Sequence, residues 1–214
     1  MQHILAYDGL VQASLGLMQE EYIDLYLPWP NLRIGIEGTM QRPPYSRASG
    51  IEWVRGLDKK KGSDEVFAVL MHTGNEEDPY RYVGHMGVHG MKWPDAYAKT
   101  GSIIGDPEAR GRGCGTEVKL LIQYHAFMVL GVRKLTSSVK AFNAPSLGHL
   151  IKCGYQVVGR HKKQHFHNGQ FVDEIILECF REEWEPIWEK YQASKALPSL
   201  TTIQRQLVAH ETQK

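Results

Sequence analysis

The chain has 214 residues, 42% hydrophobic and 23% charged, with a formal net charge of +1. That balance suits a globular domain with a sizeable core, and the near-zero charge excludes whole-surface attraction to nucleic acid or membrane. Three widely spaced cysteines, Cys114, Cys153 and Cys179, form no CxxC pair, which excludes a disulfide framework and a zinc knuckle and leaves reduced thiols. The opening MQHILAYDGL lacks a basic start and a long apolar run, and no stretch reaches the ~20 apolar residues of a membrane span. A soluble, cytoplasmic protein is expected.

In chain order, Leu10, Leu15, Leu17, Met18, Tyr22 and Leu25 recur at helical spacing, which predicts one amphipathic helix or two short ones before Pro28. Pro28 to Ser49 reads as an ordered, Pro-, Gly- and Arg-rich loop, and Ser46 to Leu57 as a helix with Ile51, Val54 and Leu57 on one face. Strands are predicted over Glu65 to His72, Tyr80 to Val88 and Gly101 to Ile104. Gly84 and Gly87 inside the second of these mark a bulge or a close backbone approach. A helix over Thr116 to Leu130 would bury Val118, Leu121, Ile122, His125, Ala126 and Val129. Lys134 to Lys140 is a strand and Pro145 to Cys153 a short helix closed by Gly154. Two strands, Tyr155 to Phe166 and Gln170 to Leu177, meet through Asn168-Gly169, a hairpin-turn signal. Phe180 to Tyr191 is a closing helix that Pro186 would kink or split. The domain is read as residues 1–192, with 193–214 a polar, loosely held C-terminal tail.

The chemistry concentrates at one strand-to-helix junction. The loop Arg110-Gly111-Arg112-Gly113-Cys114-Gly115-Thr116 places three glycines at alternate positions, where the backbone can approach a bulky anion closely. The unpaired amides and positive dipole end of the following helix face that loop, and the two arginines add charge, which makes a phosphate or pyrophosphate site. The glycines run GxGxG and not GxGxxG, no acidic residue follows the next strand, and no lysine precedes Thr116. A dinucleotide fingerprint and a P-loop are thereby set aside.

The loop resembles the coenzyme A loop of the GNAT superfamily, Arg/Gln-x-x-Gly-x-Gly/Ala, and further segments are similar to the RimJ/RimL-type branch. These are Gly101 to Glu108, Asn143-Ala-Pro-Ser146, Lys152-Cys-Gly-Tyr155, and the hairpin Gly169-Gln-Phe-Val-Asp173, with weaker parallels at Trp29-Pro-Asn31, Arg42-Pro43 and Trp53. The resemblance covers roughly residues 20 to 182. It implies an α/β GNAT fold: a six- to seven-stranded, mostly antiparallel sheet with a central splay and helices on both faces. It also implies acetyl-coenzyme A as cofactor and a primary amine as acceptor, either a small molecule or a protein N-terminus. The main chain of Ser102, Ile103 and Ile104 would pair with the pantetheine arm. The amides of Arg110, Gly111, Arg112, Gly113, Cys114, Gly115 and Thr116 would hold the pyrophosphate. Asn143 would bond the cofactor's amide portion, and Ser146 would lie near the thiol.

The departures matter for catalysis. Many relatives carry a tyrosine acid seven residues after the asparagine, where this chain has Leu150, so Ser146 or His149 could substitute. The strand before the loop often carries a glutamate base, where this chain has Lys99 and Thr100, leaving His85, His89, Asp95 and Glu37 as candidate bases. Valine at Gly113 is expected to block the pyrophosphate.

Several features carry a bland reading beside a sharp one. The histidines 161, 165 and 167 read as a solvated hairpin surface more readily than as a metal site. The basic run Arg160 to Lys163 is either a solvated cluster or a point of attraction for an acidic group. Cys114 reads as a small side chain packed beneath the loop rather than a reactive thiol, and Trp184 and Trp188 as core or a homodimer seam. A rival reading, a non-catalytic GNAT module that keeps coenzyme A as a structural ligand, stays open because both common proton-transfer residues are missing.

Overall fold

The computed structural model describes residues 3–31, 44–60 and 62–213. Glu37, Arg42 and Pro43 lie outside the described residues. Among the described residues, eight strands form one sheet: β1 (Leu5–Tyr7), β2 (Ala13–Leu17), β3 (Glu65–His72), β4 (Tyr80–Lys92), β5 (Tyr97–Ile104), β6 (Lys134–Lys140), β7 (Gln156–His167) and β8 (Gln170–Phe180). Their order is β1-β2-β3-β4-β5-β6-β8-β7, and every pairing is antiparallel except β5 with β6. The sheet is therefore wider than the six or seven strands expected. The helices are α1 (Tyr22–Tyr26), α2 (Pro28–Asn31), α3 (Arg47–Gly56), α4 (Cys114–Tyr124), α5 (Ala144–Lys152), α6 (Arg181–Ser194) and α7 (Thr202–Gln213). No helix among the described residues is long and apolar enough to cross a membrane.

Of the extra strands, β1 precedes the segment read as helical and β2 lies within it, while the end of that segment forms α1. Residues 13–16 are all buried, because β2 lies inside the sheet and is covered on both faces. A strand hidden on both faces shows no alternation, so its leucines imitate a helical spacing. Helix α4 ends in a π turn over His125–Val129, with the Leu130 amide bonded to the His125 carbonyl at 3.0 Å. The wider turn rotates the face, and Val129, expected inside, is 56% exposed. Pro186 does not break α6, since Trp184 and Tyr191, each 1% exposed, hold the helix on the core. Trp184 stacks on Trp188 at 5.5 Å and against Phe127 at 5.4 Å, within the core.

The segment after residue 193 is also more ordered than expected. It forms α7, Leu197, Leu200 and Val208 pack on the main core, and Arg160 donates to the Glu211 carbonyl at 2.9 Å. Arg160 also pairs with Asp173 at 2.7 Å, so it is committed to internal partners.

The strand pair at the centre positions the site. β5 and β6 pair only over Tyr97–Lys99 and Lys134–Thr136, and beyond those residues they diverge. Toward its C-terminal end β5 keeps β4 on one side (Met86↔Ser102, His85↔Ile103, Gly84↔Ile104) and leaves its other side open. An open strand edge inside a sheet presents unpaired amide and carbonyl groups to whatever enters the gap.

Candidate active site

A cavity of about 700 Å³ opens at the splay. Its floor is Ser102–Ile104 of β5, one wall is the loop 110–116, and the facing wall is Asn143 and one side of α5 as far as Lys152. Gly111 and Gly113 have φ of +73° and +93°, the left-handed region where a side chain is strained. The first bonded amides of α4 are Thr116 and Glu117, both to the Gly113 carbonyl, which leaves the preceding loop amides without an intrahelical acceptor. The approach to the loop is fixed by Arg81, whose Nη2 lies 2.9 Å from Asp106 and 2.8 Å from Glu108. Arg110 donates to the Ile104 and Gly105 carbonyls at 3.4 and 3.3 Å. Cys114 is fully buried under the loop, and burial pushes its thiol up, which agrees with a packing role.

The C-terminal segment closes this cavity from above. Leu200 and Val208 line it, and a Cβ built on Gly113 would meet Leu197 Cδ1 at 2.3 Å. Valine at Gly113 would therefore strike Leu197, so it is no clean probe of a phosphate site. Gly115, by contrast, would place a Cβ in ordinary contact, 3.8 Å from Ile104 Cγ1.

A second cavity of about 260 Å³ continues behind the first and shares Ser102, Ile103, Asn143, Ser146 and His149 with it. His85, His89, Trp53, Thr100 and Lys119 line its far side. His85 is 8% exposed, its ring lies 5.0 Å from both Tyr26 and Trp53, and burial pulls its pKa down to about 4. The His89 ring lies against Gly87 and Gly101, where a Cβ would come within 2.9 and 3.5 Å of its Nε2. These two strand glycines make room for an imidazole. Gly84 instead allows a close backbone approach, since its Cβ would meet the Ile103 carbonyl oxygen at 1.9 Å. Burial lowers His89, and nearby Asp64 opposes that shift. His149 Nε2 is buried with no hydrogen-bond partner among the described residues, and burial with Lys119 and Lys152 nearby pulls its pKa down to about 3.

The fold thus brings most of the expected residues together. Ser102, Ile103, Ile104, Arg110, Gly111, Gly113, Gly115, Thr116, Asn143 and Ser146 line the first cavity, and His85 and His89 the second. Asn143 also caps α5, its Oδ1 accepting the Ser146 amide at 3.2 Å. Asp95 is not among them. It is exposed in the turn between β4 and β5, at the paired end of β5, and lines neither cavity. Leu150, at the position where the resemblance implies a tyrosine, is buried. Sequence reasoning passed over Lys119 and named Thr100 and Tyr155 without joining them; the three form a buried polar chain. Lys119 Nζ donates to Thr100 Oγ1 at 3.1 Å, and Thr100 Oγ1 bonds the Tyr155 hydroxyl at 2.8 Å. A signal was present: Lys119 lies four residues from Gly115 and Gln123, on the face that meets the sheet.

Comparison with known proteins agrees with this geometry. The N-acetyltransferase YokL, of SPbeta prophage origin in Bacillus subtilis, is 33% identical over 76 residues, or 36% of this chain. The match spans 43% of the length of YokL. The spermidine N-acetyltransferase of Vibrio cholerae, solved with CoA and spermine, superposes with a TM-score of 0.71 at 17% identity, covering 81% of this chain and 98% of that one. Mycobacterium smegmatis RimJ, solved with CoA-disulfide, gives a TM-score of 0.72 at 15% identity, covering 92% and 96%. At such identities the two structures speak for the fold. The family described as the acetyltransferase (GNAT) domain matches residues 20–156, more than half of the chain, and the protein belongs to that family.

Proposed function

We propose that the protein is an acetyl-coenzyme A-dependent N-acetyltransferase of the RimJ-like branch, acting on a primary amine. The observation that carries this reading is the meeting of two cavities at the splay. One cavity is long and bordered by the glycine loop and a helix N-terminus, the other is small and lined by imidazoles.

The first cavity suits the cofactor on its own terms. Its glycines leave space for phosphates, its loop amides and Arg110 supply positive character, and the open edge of Ser102–Ile104 can pair with amide groups of an extended arm. The bound cofactor would supply an acetyl thioester, whose carbonyl carbon a neutral amine can attack with release of the thiol. Asn143, Ser146 and His149 would surround the reacting end, because they border both cavities. The acceptor reaches this point from the second cavity and must lose a proton before it attacks. His89 is the base in this reading, with its ring in the second cavity and burial lowering its pKa, so that the neutral imidazole stands ready to accept a proton. His149, held neutral by burial, would offer Nε2 as a hydrogen-bond partner at the junction.

The test is thiol release from acetyl-coenzyme A against a panel of amines, peptides and amino sugars. Release with one acceptor class supports the enzyme and names its substrate. Tight coenzyme A binding without release for any acceptor would favour the non-catalytic module.

A further inference from the structure

The second cavity is unbalanced in charge. Among the described residues that line it, Lys99, Lys119 and Lys140 are basic, and none is Asp or Glu. Lys119 is 1% exposed, and the Thr100 hydroxyl is its hydrogen-bond partner. The Tyr155 ring lies 5.7 Å away, and no carboxylate pairs with Lys119 among the described residues. One hydroxyl serves one of the three N–H donors of an ammonium.

The carboxylates of neighbouring elements are engaged elsewhere. Asp64 accepts the Gly90 amide at 2.7 Å, Glu174 lies 3.3 and 3.2 Å from His161 and His165, and Glu117 accepts the amides of Val11 and Ala13 at 2.8 Å. A buried ammonium without a counter-charge is strongly disfavoured, and a bound anion relieves most of that penalty. Burial pulls Lys119 down to about 8, which still leaves the charged form dominant at neutral pH.

Resting on the acetyl-transfer reading above, we propose that the acceptor is a small primary amine that also bears an anionic group, carboxylate or phosphate, held at the Lys119 ammonium. The cavity volume of about 260 Å³ fits a molecule of amino-acid size. A polyamine meets like charge here: Lys99 and Lys119 would repel the second ammonium of such a substrate. This lining therefore selects against an acceptor such as the spermine bound by the Vibrio cholerae relative.

The experiment is calorimetry on the full chain saturated with coenzyme A. The titrants are β-alanine and O-phosphoethanolamine, their counterparts without the anionic group, β-alaninamide and ethanolamine, and spermidine. The anionic members should bind at least about tenfold more tightly than their counterparts. The better of the two anionic members identifies the group. Lys119→Met should abolish that margin while coenzyme A still binds as before. Equal binding of acid and amide, tightest binding of spermidine, or a margin that survives in Lys119→Met would overturn the proposal. The wild-type comparison decides even if the variant does not fold. Thiol release is read separately: an intact anion margin without release refutes acetyl transfer and leaves the anion site standing.

Discussion

The carboxylate of Glu117, on the first turn of α4, accepts the backbone amide of Val11 at 2.8 Å across 106 positions of sequence. The same fully buried side chain accepts the amides of Gln12 and Ala13 and the hydroxyl of Tyr191. One carboxylate thus ties the turn before β2, helix α6 and the start of α4 together directly beneath the glycine loop. Glu117→Ala would leave three amides and a hydroxyl without their acceptor in the interior. A loss of about 3–5 kcal/mol is expected, read as a fall in urea midpoint. Glu117→Gln should lose less, because it keeps one oxygen acceptor. Equal stability of the alanine variant and the wild type would show that the cluster is not structural.

Gly115 allows the cofactor cavity to be closed without straining the backbone. It lies in the first turn of α4, and a Cβ there contacts only Ile104 Cγ1, at 3.8 Å. Gly115→Leu should stabilise the helix by up to about 0.8 kcal/mol through propensity while filling the mouth of the cavity. Coenzyme A affinity should fall at least about tenfold in calorimetry, with an unchanged or raised melting temperature. Unchanged affinity would place the cofactor elsewhere.

Local chemistry made much of this site readable. β6 matches its prediction because Leu135, Ser137 and Val139 alternate inward, and the β7–β8 turn because Asn168 and Gly169 both take positive φ, at 48° and 80°. The glycine loop is visible because its spacing is itself the binding device. What stayed hidden depends on distant partners. β2 carries no period because residues on both its faces are buried. The segment after residue 193 has a polar composition but lays Leu197, Leu200 and Val208 on the core. Lys119 reads as surface charge until the fold closes Thr100 and Tyr155 around it.

The C-terminal segment should contribute to cofactor binding. Leu200 and Val208 line the first cavity, and Leu200 Cδ1 lies 3.6 Å from a Cβ position on Gly148. The double variant Leu200→Ser, Val208→Ser removes apolar wall while leaving the loop untouched. Coenzyme A affinity should drop by about tenfold, in line with about 1–2 kcal/mol of lost apolar contact. A rise in affinity would mean that the segment competes for the same space.

Buried His85 predicts an acid-sensitive fold. Its pKa falls from 6.5 when unfolded to about 4 in the folded chain. Between those values the unfolded state binds a proton that the folded state excludes, so stability falls as pH is lowered through that window. The full loss approaches about 3 kcal/mol. His85→Gln should show a shallower decline in melting temperature between pH 6.5 and 4, with His149 accounting for part of the slope that remains. An identical slope in the variant would place the acid-sensitive group elsewhere.

Two of the candidate bases, His89 and Asp95, separate cleanly by position. His89 faces the second cavity, whereas Asp95 is exposed at the paired end of β5. If His89 takes the proton from the acceptor, His89→Asn should lower kcat by about 10²–10⁴ with little change in KM for acetyl-coenzyme A. Its activity should recover partly as pH rises and free amine becomes available without a base. Asp95→Asn should match the wild type in both constants. Loss of activity in Asp95→Asn alone would move the proton transfer away from the splay and contradict the site as drawn. A His89→Asn variant with normal kcat would leave deprotonation to solvent.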